Sequence, residues 1–133
     1  MNNNNYKFIK TASAEFILIN STAPAYPQYD PIKHIIGCIN DYSVDQKINF
    51  EITQTNVIDT RYYGLPYCGT ECNAYSIKAY LEYVDKDAIN ADRDAAKWID
   101  SIIQYATLLK ANFSQPIVKI RFNINNELTT VTV

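Results

Sequence analysis

The single histidine and all three cysteines of this chain fall into two pairs, His34-x-x-x-Cys38 and Cys68-x-x-x-Cys72. Imidazole and thiolate are the usual ligands of structural zinc, and this spacing lies within the range such sites use. In a helix, His34 and Cys38 are i, i+4 neighbours. Together with Cys68 and Cys72 they make a Cys₃His set that ties a short helix to a loop. The same residues support other chemistry. Cys68 and Cys72 can oxidise together, or pack as small apolar groups. Cys68, beside Gly69, can act as a nucleophile with His34 as its base. Spacing identifies no Asn or Asp to orient that base. The cofactor expectation is none, with zinc on His34, Cys38, Cys68 and Cys72 as the alternative.

Cys68 and Cys72 belong to "YYGLPYCGTEC", residues 62–72, which holds two of the three glycines, three tyrosines and a proline. Gly64, Pro66 and Gly69 interrupt regular structure here. Tyrosine offers contact area at low entropy cost and a polar tip, so Tyr62, Tyr63, Leu65 and Tyr67 read as a binding surface. Packing of the same rings onto a sheet edge is the competing reading.

Other chemistry has no motif. No G-x-G-x-x-G or G-x-x-x-x-G-K-[ST] is present, and three glycines leave little to build a phosphate cradle. There is no H-E-x-x-H and no G-x-S-x-G. Asp85, Asp87, Asp92 and Asp94 cluster without EF-hand spacing, which needs a central Gly and a terminal Glu. They read as solvated charge near a helix start.

The elements that must position these residues follow from periodicity. Asn2 to Asn5 form a polar tail expected to be disordered. "YKFIK" and "AEFILIN" read as strands, the second continuously apolar and therefore buried. Asp30-Pro31 supplies an N-cap and a first-turn proline. Ile32, Ile35, Ile36 and Ile39 then mark one stripe of a short helix at about 31–40, with His34 and Cys38 facing away from it. "KINFEITQT" and "AYSIKAYLEYV" alternate as strands. Trp98, Ile99, Ile102, Ile103, Ala106 and Leu109 form the stripe of a long helix at about 91–112, closed by Asn112 with Pro116 beyond. "PIVKIRFNI" and "LTTVTV" flank "NNE" as a hairpin. The pattern lacks regular βαβ alternation. The expected fold is α+β: an antiparallel sheet of about five to six strands, the long helix on one face, and a single domain over residues 6–133.

Composition bounds the function. The chain has 133 residues, 47% of them apolar, and a net charge of -2. It is long enough to bury a core and carries no basic footprint for nucleic acid. "EFILIN", the longest apolar run, is too short to span a bilayer. No apolar segment of signal type opens the sequence, and an odd cysteine count argues against a secreted disulfide framework. A cytoplasmic location follows, in the protein's own cell or a host's. Abundant Asn, Ile and Tyr, with their AT-rich codons, point to a bacterial or phage source. The expected function is a non-catalytic binding protein that docks a macromolecular protein partner, of inhibitor, immunity or anti-defence type. A small-ligand binder with a tyrosine-lined pocket and a Cys68-dependent enzyme are the alternatives. The uncharged "LTTVTV" lacks edge protection, which implies a homodimer paired through that strand.

Overall fold

The computed structural model describes residues 11–20, 30–42, 48–57, 61, 72–82 and 88–133. The expected Asn-rich tail, the strand at "YKFIK" and the loop 62–71 lie outside these residues. Among the described residues the elements follow in the order β1 (Thr11–Asn20), α1 (Pro31–Asp41), β2 (Glu51–Val57), β3 (Cys72–Glu82), α2 (Ala88–Asn112), β4 (Lys119–Ile124) and β5 (Glu127–Thr132). The strands form one antiparallel sheet in the order β2-β3-β1-β4-β5. This is the α+β architecture that the periodicity implies. Because β3 and β4 both pair with β1, the segment β3-α2-β4 is a crossover with β1 inserted between its strands.

One face of the sheet is apolar. Ala12, Ala14, Phe16 and Leu18 of β1 lie beside Tyr75, Ile77 and Ala79 of β3 and Ile120 and Phe122 of β4, and all are buried. Helix α2 covers this face with Ala95, Trp98, Ile102, Tyr105, Ala106 and Leu109. The stripe differs from the sequence pattern in one respect. Ile99 and Ile103 are only partly buried, and Tyr105 takes a central place. Its ring meets Tyr42 at 5.6 Å and Phe50 at 5.1 Å, both edge-on, and so joins the end of α1 and the approach to β2 onto α2. Edge-to-face geometry places the positive rim of one ring on the negative face of the next.

Helix α1 begins as its sequence demands. The Asp30 carboxylate accepts hydrogen bonds from the Ile32 and Lys33 N–H groups at 3.0 and 3.3 Å, with Pro31 in the first turn. Its buried positions are Ile35 and Ile39, with Ile32 and Cys38 packed beside them. Two expectations are corrected here. Ile36 turns outward, 42% exposed, and Cys38 faces the core rather than away from the isoleucine stripe. A helix advances 100° per residue, so positions 32, 35 and 39 centre on a line that 38 flanks on one side and 36 on the other. Only the 38 side meets the rest of the fold.

Helix α2 ends in a Schellman motif. Gln115 N–H donates to Lys110 O at 2.9 Å and Ser114 N–H to Ala111 O at 3.4 Å, with Ser114 at φ 52°. The helix ends at Asn112 as expected, and the left-handed capping position falls two residues on, at Ser114 instead of the usual glycine. This turn delivers the buried Gln115 to β1. Its Oε1 accepts from Ile19 N–H at 3.0 Å, and its Nε2 donates to Ile19 O at 2.8 Å and Phe113 O at 2.9 Å. One side-chain amide thus satisfies both backbone groups of a buried strand residue. The hairpin β4-β5 turns on Asn125 and Asn126, both with positive φ, the two-residue geometry that matches sheet twist. Strand β5 lies at an edge of the sheet, and Leu128 on it is 77% exposed.

Gln115→Ala leaves the Ile19 amide and carbonyl without partners and should destabilise the fold by about 2–4 kcal/mol in urea unfolding. A midpoint like wild type would show that the amide bridge contributes nothing. Tyr105 gives a second test. It is fully buried, its hydroxyl has no hydrogen-bond partner among the described residues, and its pKa is raised above 10. Burial is the main cause; the Ile48 backbone, near the hydroxyl but outside hydrogen-bond geometry, offsets it in part, and Tyr42 adds to it. The folded hydroxyl stays protonated where the unfolded one ionises, so this stability is complete below pH 10 and lost as pH rises beyond it. Tyr105→Phe should cost no more than about 1 kcal/mol at neutral pH, since it removes an orphan hydroxyl. Its midpoint should gain on wild type above pH 10. A constant difference across that range would refute the assignment.

Candidate functional site

The sheet face away from the helices carries the polar chemistry. Strand alternation puts Ser13 and Glu15 of β1 on that face, opposite in phase to Ala14 and Phe16. Register then builds a row across all five strands: Glu51 beside Lys78, Lys78 beside Glu15, Glu15 beside Arg121, and Arg121 beside Thr130. Charges alternate along it, negative, positive, negative, positive. The next row is Tyr80, Ser13, Asn123 and Leu128.

Glu15 is the centre of the first row. Ser76, itself buried, donates its hydroxyl to Glu15 Oε2 at 2.8 Å, and the Lys78 ammonium stands 3.5 Å from the same oxygen. Both contacts use the same oxygen and anchor it, and neither uses Oε1. The Glu15 side chain is 31% exposed. It is anchored from beneath and open above.

These side chains border a hollow of about 280 Å³, lined by Ser13, Glu15, Lys78, Tyr80, Arg121 and Leu128, among others. A second hollow of similar size adjoins it, lined by Thr11, Ser13, Tyr80, Leu81, Asn123 and Asn126. Tyr80, 63% exposed, borders both. The result is an elongated trough. One end is charged with both signs, the middle has an aromatic ring, and the far end carries amide and hydroxyl groups.

The residues singled out from sequence are distributed differently. Tyr62, Tyr63, Leu65, Tyr67 and Cys68 lie outside the described residues. Cys72 begins β3, paired in register with Val57. His34 is exposed on α1 with its ring 4.7 Å from that of Phe113, while the Cys38 thiol is free and partly buried against the core. No group of three or more His, Cys, Asp or Glu able to hold a metal occurs among the described residues. Sequence reasoning missed Glu15, Ser76, Lys78, Tyr80 and Arg121. One signal was present: Glu15 is the only charge in the apolar run of β1.

No family model matches the sequence, and no curated protein matches it. Solved structures do. A phage SAM lyase in complex with S-methyl-5'-thioadenosine is similar with a TM-score of 0.51 and 12% identity, over 93% of this chain and 89% of that chain. A phage SAM lyase in the apo state is similar with a TM-score of 0.49 and 12% identity, over 92% and 87%. The first likeness shows the shared fold. It overturns the expectation of a non-catalytic docking protein of inhibitor, immunity or anti-defence type, because the solved protein with this architecture is an enzyme. Among the described residues, no helix is long and apolar enough to cross a membrane.

A partly exposed ion pair contributes little to folding. Glu15→Gln should therefore change the unfolding free energy by no more than about 1 kcal/mol, and its circular dichroism should match wild type. Loss of the folded state would place Glu15 among the structural residues.

Proposed function

We propose that this protein is an enzyme that cleaves SAM as a lyase, in the trough on the open face of the sheet. The observation that carries this reading is the order of chemistry along the trough, charged groups of both signs, then an exposed tyrosine, then amides, on a fold shared with a phage SAM lyase. S-Adenosylmethionine is an elongated molecule that fits this order: a zwitterionic amino-acid end for the charged groups, then an adenosine whose base offers an aromatic face to Tyr80 and hydrogen-bonding edges to the amides.

The chemistry asks little covalent help from a protein. S-Methyl-5'-thioadenosine is what SAM leaves when the bond from sulfur to the methionine γ-carbon breaks. The bonding pair goes to sulfur, which becomes a neutral thioether. If the substrate's own carboxylate attacks that carbon, a five-membered lactone closes, and no water is consumed or proton released. The positive charge on sulfur disappears as the bond breaks. Catalysis then consists of holding the chain folded for attack and keeping negative groups off the sulfur, where they would stabilise the starting ion more than the transition state. In this reading Tyr80 stacks the adenine, and Asn123 and Asn126 face its edges.

Incubation of the pure protein with SAM should produce S-methyl-5'-thioadenosine, followed by liquid chromatography. Tyr80→Ala should lower kcat/KM by roughly tenfold or more, from the usual worth of base-on-aromatic stacking. No methylthioadenosine above the uncatalysed rate would overturn the proposal.

A further inference from the structure

The charged end of the trough has a polarity that goes beyond a general site for SAM. Glu15 has one oxygen committed to Ser76 and Lys78 and the other directed to neither. Arg121 is its cross-strand neighbour on β4, and Lys78 its cross-strand neighbour on β3. A carboxylate thus sits between two cations at the floor of a hollow of about 280 Å³. A ligand carrying only a cation would meet two like charges there, and a ligand carrying only an anion would meet Glu15. A group with an ammonium and a carboxylate on one carbon matches both.

We infer that this end of the trough is a recognition site for a free α-amino acid group, with Glu15 Oε1 receiving the ammonium and the Arg121 guanidinium, assisted by Lys78, receiving the carboxylate. Ser76 is a positioning residue: it is buried, and its hydroxyl donates to Glu15 Oε2, which holds the carboxylate at the wall of the hollow and leaves Oε1 to a ligand. The inference rests on the proposed SAM reading and adds a specificity to it. The site selects nucleosides by their amino-acid end and rejects decarboxylated or truncated ones. It also keeps Glu15 on the ammonium, away from the sulfur, where a negative charge would oppose cleavage.

The test compares two uncleavable probes by calorimetric titration. S-Adenosylhomocysteine retains the amino-acid end without the sulfonium, and S-methyl-5'-thioadenosine lacks that end. Wild type should bind the first more tightly. Glu15→Gln should weaken the first by roughly tenfold to a hundredfold, the worth of a hydrogen bond to a charged group, and leave the second within about threefold. Arg121→Gln should do the same, and Ser76→Ala should produce a smaller loss confined to the first probe. Equal weakening of both probes by Glu15→Gln, or of neither, overturns the inference while leaving SAM cleavage standing. Failure of wild type to bind either probe overturns the SAM reading and this inference with it.

Discussion

The pairing of β1 with two neighbours at once is the constraint on which this structure depends. β1 is the middle strand, so its register sets β3 on one side and β4 on the other. A slip of one residue would move Ala12, Ala14, Phe16 and Leu18 to the solvent face and drive Glu15 into the helix interface. Burying an unpaired carboxylate there costs far more than any surface pair returns. The core therefore holds the register, and the register holds the polar row. Glu15 lies between Lys78 and Arg121 because Phe16 and Ala14 are buried. Gln115 secures the same strand near its end by completing the hydrogen bonds of Ile19 from the C-terminal turn of α2.

This arrangement shows how a polar site can be built on such a face without a loop of special residues. Rigid strands fix side chains better than loops, and a central strand fixes them best, since it is paired on both sides. The groups that meet in the trough come from β1, β3 and β4, with β5 contributing Leu128 at the rim. Among the described residues, none from the helices lines it. They supply the apolar surface that makes the opposite face polar by default.

Helices α1 and α2 and the β4-β5 hairpin were legible in the sequence, and the polar row across the sheet was not. Asp30-Pro31 announced α1, the apolar period announced α2, and the paired asparagines announced the β4-β5 turn, because each signal acts within a few residues. Cys38 was misplaced because a helical stripe has two flanks and only tertiary packing says which one is covered. Tyr105 was passed over because an aromatic residue at the margin of an isoleucine stripe looks amphipathic until Tyr42 and Phe50 close around it. Local density drew attention to the tyrosine, glycine and cysteine loop at 62–72. The row Lys78, Glu15, Arg121 spans most of the chain, and no local pattern joins those positions. A single charge in the middle of an apolar strand, as at Glu15, was its only trace.

Mapping a bound nucleoside on the protein locates the face it occupies. Backbone amide shifts recorded by two-dimensional NMR during titration with S-adenosylhomocysteine report where it sits. Changes should centre on Ser13, Glu15, Lys78, Tyr80, Arg121 and Asn123, with the buried face of α2 unmoved. Changes confined to the helix side, or to residues 58–71 with the open face silent, would contradict this placement.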